Sequence, residues 1–213
     1  MSFNLFMCGV GGQGLVLLTS VIGDACARSG LNAVTGEMYG LSQRSGTVSV
    51  HMRIGESVFS PLIPYGEADV LMALEAVEAV RYIEYLKENG IVLMNSRIMH
   101  PPAETAHLIA DKNAKYITLD DVIGRLRKWT RNIAIIDALN LAKDAGNINA
   151  ENAVFLGCLS TLKAFPLEAN ILKASIARAV PAKTVEQNLK AYDLGRDAAY
   201  RQLCKLVDCR ENV

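Results

Sequence analysis

The chain has no CxxC pair and no group of cysteine, histidine or acidic residues at metal-ligand spacing, so neither structural zinc nor an iron–sulfur cluster is expected on it. Its five cysteines, Cys8, Cys26, Cys158, Cys204 and Cys209, are scattered in a way that suggests reduced core thiols and no disulfide framework. Charge of neither sign is in excess, with 22 Lys plus Arg against 22 Asp plus Glu, and no basic run with interleaved aromatics is read, so nucleic acid is not an expected partner. No apolar stretch is long enough to span a bilayer, and the opening MSFNLFMCGVGG has no basic region before its short apolar run. A cytoplasmic protein without membrane contact is the expectation. No repeat, low-complexity tract or linker divides the chain, and residues 1–213 read as a single domain.

What is present is an apolar chain, 51% hydrophobic, able to bury a substantial core. Phe3 to Cys8 is a short apolar run ending in glycines, after which Val16, Leu17, Val21, Ile22, Ala25 and Cys26 recur at helical spacing as far as Gly30. Leu31 to Gly36 reads as a second strand, followed by the polar, glycine-punctuated loop Glu37 to Gly46 where a simple repeat would place a helix. From Thr47 the pattern alternates, with Val48, Val50, Met52 and Ile54 on one face and Thr47, Ser49, His51 and Arg53 on the other, as a half-buried strand requires. Gly55-Glu56 is expected to turn a hairpin into Ser57 to Ser60, which makes the sheet mixed. Val70 to Leu74 predicts another strand, Ala76 to Glu88 an amphipathic helix closed by Gly90, and Ile91 to Asn95 the next strand. Tyr116 to Leu119 predicts one more. From Asp121 the text is mostly helical, with Thr184 and Gln187 as a capping box opening a final helix through Leu206. Alternating units of this kind predict an α/β fold, a three-layer α/β/α sandwich with a mixed sheet and a mostly helical C-terminal part.

Gly9-Val10-Gly11-Gly12-Gln13-Gly14 satisfies GxGxxG directly between a strand and a helix. Such glycines let a backbone approach closely, and the positive end of the helix favours an anion or phosphate. Glu37, near the end of the second strand, stands where a ribose-binding acid is expected. One reading is therefore a free-standing dinucleotide-binding oxidoreductase using nicotinamide or flavin. The inserted loop and antiparallel pair speak against it, and the alternative is that the glycines only permit a tight turn against a neighbouring backbone.

The second polar segment gathers Glu37, Ser42, Gln43, Arg44 and Gly46 in one loop and His51 and Arg53 on the following strand. Arg44 and Arg53 carry donor forks suited to a carboxylate or phosphate; a solvated loop and outward strand face are the plainer reading. GVGGQG opening a helix, then GEMYGLSQRSGTVSVHMRIG, IPYGEADVLMALE, ENAVFLGCLS and PAKTVEQNLKAYDLGR together resemble the gamma-type domain of 2-oxoacid:ferredoxin oxidoreductases, nearest the indolepyruvate beta-subunit pattern. The likeness runs from about residue 5 to about residue 198. One departure is Ser45, which gives QRSG where the family loop commonly reads QRGG.

The resemblance implies an enzyme that uses thiamine diphosphate to decarboxylate a 2-oxoacid and sends electrons through iron–sulfur clusters to ferredoxin, with coenzyme A taking the acyl group. This chain has no GDG motif and no cysteine array, so thiamine diphosphate, Mg and 4Fe-4S clusters are expected on a larger partner subunit. No catalytic residue and no metal ligand is assigned to it. Gly9, Gly11, Gly12, Gln13, Gly14, Glu37, Ser42, Gln43, Arg44, Gly46, His51 and Arg53 are expected to face that partner or its cofactor, and the isolated subunit is able to homodimerise. A non-catalytic scaffold is the third reading. His51, His100 and His107 read as ordinary surface or hydrogen-bonded histidines, Asp69 and Glu75 as strand-end caps in preference to a catalytic pair, and Met38, Met52, Met72 and Met94 as core fillers.

Overall fold

The computed structural model describes residues 2–40, 46–100, 105, 110 and 115–210. Six strands, β1 (Phe3–Val10), β2 (Asn32–Tyr39), β3 (Thr47–Gly55), β4 (Ala68–Ala73), β5 (Leu86–Asn95) and β6 (Ile133–Ile136), make one sheet in the order β2-β3-β1-β4-β5-β6. Strands β1, β4, β5 and β6 are parallel, and β3 runs antiparallel to both β1 and β2. Seven α-helices lie among the described residues: α1 (Leu15–Arg28), α2 (Ala76–Arg81), α3 (Leu119–Leu126), α4 (Ala138–Asp144), α5 (Glu151–Ser160), α6 (Ala169–Ala179) and α7 (Val185–Leu203). The result is the α/β fold with a mixed sheet that the alternating elements predict.

Every residue of β1 is buried, because it has a strand on each side and a packed layer on each face. Leu5 and Met7 point to the layer of α1, α5, α6 and α7, whereas Phe6 and Cys8 point to that of α2 and α3. Within the first layer α5 and α7 cross at glycines. A Cβ at Gly157 would lie 1.9 Å from the Tyr192 carbonyl oxygen, and one at Gly195 would lie 2.1 Å from that of Val154. Ser175 on α6 donates to Asp24 on α1 at 2.6 Å, and this hydrogen bond holds the Asp24 carboxyl below its ordinary range.

Several local expectations are corrected. The hairpin is β2 with β3, and residues 58–64, where the chain was expected to continue it through Ser60, form no strand. Pro61 and Pro64 in that stretch have no N–H to give a ladder. β3 is not half-buried: Ser49 and His51 are each only 2% exposed, since the strand lies between β1 and β2 with the 56–67 connection across its second face. The helix expected to run to Glu88 stops at Arg81. A 3-10 turn at Ile83–Tyr85 then delivers Leu86, paired with Ala68, into the second core cluster, so tertiary burial overrides local helical spacing. Tyr116 to Leu119 gives no strand; Leu119 begins α3, capped by a Thr118–Asp121 box, and the sixth strand is the apolar run at Ile133. Thr184 does not cap α7 with its side chain, its hydroxyl donating to Pro181 O at 2.9 Å, and the helix ends at Leu203. Cys204 and Cys209 are disulfide-bonded, against the expectation of five reduced thiols; Cys8, Cys26 and Cys158 are free and buried. The bridge closes the turn after α7, and backbone hydrogen bonds tie this segment to the α5–α6 connection, Lys163 N–H donating to Asp208 O at 3.1 Å and Arg210 N–H to Thr161 O at 2.8 Å. Met52, Met72 and Met94 fill the core as expected, but Met38 is 45% exposed on β2.

Candidate functional site

Strand β1 delivers the glycine turn to the carboxyl edge of the sheet. α1 leaves it toward one face and α2 leaves β4 toward the other, which opens a crevice between neighbouring parallel strands, the usual place for a ligand in such sheets. A cleft of about 380 Å³ lies there, lined by Gly11 to Gly14, Leu74 just after β4, Asn95 at the end of β5, Arg97 beyond it, and the start of α5.

The turn is held by its own glutamine. Gln13 Oε1 accepts the Val10 N–H at 2.8 Å, and its Nε2 donates to Leu74 O at 3.0 Å. A Cβ at Gly9 would meet that Oε1 at 2.5 Å, so the first glycine exists to seat the glutamine. Gly12 and Gly14 have φ of 91° and 80°, a left-handed backbone that other residues adopt at a cost. Gly11 N–H donates to Gly46 O at 2.9 Å, which joins the turn to the base of the β2–β3 hairpin. No side chain caps α1, and the Leu17 N–H of its first turn donates to Gly14 O at 3.0 Å, so the N–H groups of Leu15 and Val16 are those left for a ligand.

The opposite wall was not foreseen from sequence. Arg97 Nη2 donates to both carboxylate oxygens of Glu151, at 3.1 and 3.0 Å, and Asn95 Nδ2 donates to Glu151 Oε2 at 3.3 Å. Asn152 Nδ2 reaches back to Gly14 O at 3.2 Å. Asn95, 1% exposed, keeps a buried Oδ1 with no partner, and Arg97 keeps a buried Nε with none. One orphan acceptor and one orphan donor in the same wall suit a ligand or partner group that offers both, as an amide does. The signal available in the sequence was the polar Asn95-Ser96-Arg97 immediately after an apolar strand, where parallel strands present functional groups.

The foreseen residues separate into groups. Gly11, Gly12, Gln13 and Gly14 line the cleft, Gly9 is buried beneath it, and Gly46 abuts it. Glu37 is exposed on the edge strand β2, where it accepts the Tyr39 hydroxyl. Between Glu37 and β1 lies β3, two strand spacings or roughly 10 Å in all, and among the described residues the next element after β2 is the antiparallel β3. That order separates the acid from the glycine turn and removes the dinucleotide reading. Arg53 donates to Asn4 Oδ1 at 3.1 Å and Ser60 O at 3.3 Å, fastening the 56–67 connection. Ser42, Gln43, Arg44 and the variant Ser45 lie outside the described residues, as does His107. His100 is exposed, its ring 4.3 Å from that of Tyr116.

His51 corrects the expectation of an outward-facing group. Its Nδ1 accepts the Ile63 N–H at 3.0 Å, its ring packs edge-on against Phe6 and Tyr85, and its Nε2 is buried without a partner. Burial lowers its pKa from 6.5 and pushes the neighbouring Tyr85 phenol up to about 12. A neutral ring with a depressed pKa contributes stability above about pH 6.5 that is lost as pH falls through the folded-state value. The urea midpoint is therefore expected to drop between pH 7 and pH 5. His51→Asn, whose Oδ1 can still take the Ile63 N–H, should be less stable at pH 7 yet lose less on acidification; parallel slopes for the two proteins would sink the assignment.

Behind the turn, Glu75 caps α2 by accepting the Glu78 N–H at 3.0 Å and also takes the Met99 N–H at 2.9 Å, a buried helix N-cap in place of the strand-end cap expected of it. Burial raises its pKa. Asp69 accepts the Asn4 N–H at 2.7 Å and pairs with Lys87, far from Glu75's role. Burial, with Glu78 and Glu75 nearby, pushes the Cys8 thiol well up, so it is not a nucleophile. No group of three or more metal-binding side chains gathers among the described residues, and no helix there is long and apolar enough to cross a membrane.

A family model described as pyruvate ferredoxin/flavodoxin oxidoreductase matches residues 4–198. The indolepyruvate oxidoreductase subunit IorB of Archaeoglobus fulgidus is 41% identical over 93% of this chain and 96% of its own length. Among solved structures, the gamma subunit of a keto/oxoacid ferredoxin oxidoreductase from Geobacter sulfurreducens superposes with a TM-score of 0.70 at 22% identity, covering 95% of this chain and 98% of that one. A 2-oxoglutarate:ferredoxin oxidoreductase from Magnetococcus marinus, solved with 2-oxoglutarate, coenzyme A and succinyl-CoA, gives 0.66 at 19% identity, covering 94% of this chain but 31% of that one.

Proposed function

This chain belongs to the pyruvate ferredoxin/flavodoxin oxidoreductase family, and from that premise we propose that its cleft completes, across an interface, a reaction site carried by a larger subunit. It is the small subunit of a 2-oxoacid:ferredoxin oxidoreductase. The observation that carries the reading is the convergence of the glycine turn and the uncapped start of α1 with the unpartnered Asn95 Oδ1 and Arg97 Nε at the carboxyl edge of the sheet. Coenzyme A, bound in the Magnetococcus relative, offers both anionic and amide groups and is the ligand we assign to this cleft. Indolepyruvate is the substrate we assign, from the relatives' names.

Three separate buried thiols, a disulfide and no clustered donors do not fit an iron–sulfur cluster or a magnesium-bound thiamine diphosphate on the described part of this chain. We place those groups on the larger subunit. Residues 1–213 we read as one domain, since α5, α6 and α7 share a core with α1 and the sheet.

The larger subunit also has a surface to meet. β2 is an eight-residue edge strand with no proline or lysine to blunt it; Met38 on it and Phe59, Leu62 and Tyr65 in the 56–67 connection stand 45%, 91%, 59% and 66% exposed. An open edge beside apolar side chains is an association site. In the Magnetococcus protein this fold is less than a third of a longer chain, so the remainder of that chain is available to cover it; here a separate subunit takes that place. Reconstitution with the larger subunit, assayed by coenzyme A-dependent viologen reduction with a 2-oxoacid, tests this. Phe59→Ser with Leu62→Ser is expected to weaken assembly on the order of 100-fold while the isolated subunit stays folded. Full activity of the larger subunit alone would overturn the supporting role.

A further inference from the structure

The expectation of no basic run with interleaved aromatics fails at one place. Between the last turn of α3 and the start of β6, Arg125, Arg127, Lys128 and Arg131 are all exposed, with Trp129 58% exposed among them. Several other cations pair with carboxylates, as in Arg28–Asp24, Arg97–Glu151, Lys173–Asp193 and Arg210–Glu168. Among the described residues none of these four has a carboxylate within salt-bridge distance, although the Asp121 carboxyl, held low first by its hydrogen bond with the Thr118 side chain, is also lowered by the charge of Arg125.

The patch is held rigidly. Thr130 is buried and donates its hydroxyl to Gly90 O at 2.8 Å, Asn132 Nδ2 donates to Asn89 O at 2.8 Å, and the Trp129 N–H donates to Leu126 O at 2.9 Å. These contacts fix it at the amino edge of β5 and β6. The cleft lies at the carboxyl edge, about 17 Å away along the five residues of β5 from Gly90 to Asn95. The patch therefore plays no part in the cleft.

We propose that this basic, tryptophan-bearing knuckle docks the acidic electron-acceptor protein of the complex. The proposal rests on the reading of the chain as an oxidoreductase subunit. The family description names two acceptors, ferredoxin and flavodoxin. A fold used across a family with an iron–sulfur carrier or a flavin carrier as acceptor is suited by a surface that recognises what such carriers share, and a charge patch recognises charge without demanding one shape. Arg and Trp are the side chains that carry energy in small, transient interfaces, and unpaired cations speed encounter at low salt. Four cations on a chain of zero net charge are few for a polyanion, and a helix as short as α3 offers no membrane-lying face.

The test uses the intact complex bearing Arg127→Glu, Lys128→Glu and Arg131→Glu in this subunit, with Trp129→Ser as a second variant. Rates are measured with an acidic ferredoxin, with flavodoxin and with methyl viologen, at low salt and at 0.3 M. The expected result is a 10- to 100-fold fall in kcat/KM for both proteins at low salt, unchanged viologen reduction, and loss of the salt sensitivity of the parent. Trp129→Ser should slow the protein acceptors without altering the salt dependence. Unchanged kcat/KM for the protein acceptors overturns the proposal. So does an equal loss with viologen or failure to co-purify with the larger subunit, either of which assigns the knuckle to assembly. Retention of nucleic acid by the parent but not the variant would equally overturn it. Absence of viologen activity in the parent complex is a separate failure, that of the subunit reading itself.

Discussion

Arg97→Ala is expected to lower the coenzyme A-dependent activity of the reconstituted complex by roughly 10- to 100-fold, the range of one or two charge-assisted hydrogen bonds. Arg97 contributes a bidentate contact to Glu151 and an Nε without a partner at the cleft wall. Removing it leaves the Glu151 carboxylate against the site with only Asn95 to hold it. Stability should change little, because the pair is part-exposed, with side chains 36% and 22% accessible, and such pairs contribute about 0–1 kcal/mol. Activity and stability thus separate, and that separation is what distinguishes a cleft residue from a structural one. Lys173→Ala, which breaks a comparable pair with Asp193, should leave activity intact. Arg97→Lys should restore the charge facing Glu151 but not the Nε N–H at the cleft wall, and so recover only part of the loss. If reconstituted Arg97→Ala complexes turn over at the parent rate, the cleft is not part of the site.

Gly195→Ala and Gly157→Ala are each expected to destabilise the subunit by about 3 kcal/mol, which lowers the Tm of a chain this size by roughly 6–12 °C. The added methyl in either case falls on backbone carbonyl atoms of the facing helix, and neither Tyr192 O nor Val154 O can move without parting α5 from α7. The sign is the informative part. In a helix, alanine is ordinarily favoured over glycine by about 1 kcal/mol. Gly23 in α1 and Gly124 in α3 have nothing within 4 Å of the same added carbon, so Gly23→Ala and Gly124→Ala should raise the melting temperature. Four substitutions of one chemical kind then divide by whether another backbone occupies the space. Stabilisation at Gly195 or Gly157 would mean that α5 and α7 do not cross as closely as described.

The elements legible in the sequence are those whose instructions are local. β1 is an unbroken apolar run, α1 repeats its apolar residues at helical spacing, and the glycine turn between them is spelled out by residues that adjoin in the chain. Half of the cleft was accordingly foreseen. The other half, Asn95, Arg97, Glu151 and Asn152, comes from segments more than fifty residues apart that only strand order brings together. His51 shows the same limit from the other direction. Its alternation with Val50 and Met52 is correctly a strand pattern, but alternation tells which residues share a face and not whether a loop covers that face. The knuckle at Arg125 to Arg131 is hidden in the composition because the chain as a whole is neutral, and only the fold shows Arg125, Arg127, Lys128 and Arg131 exposed together.

By itself the sequence determined the α/β class, the strand–glycine–helix opening and the likeness to the oxidoreductase family, because periodicity and turn chemistry act between neighbours and survive in the order of the letters. Tertiary structure alone decided that β3 separates Glu37 from β1, that Cys204 and Cys209 pair, and that His51 lies inside. It also decided that Arg97 meets Glu151 beside the glycine turn. Each of these depends on which strand lies beside which, and that is set by the summed burial of distant apolar faces, a quantity no short stretch of sequence contains.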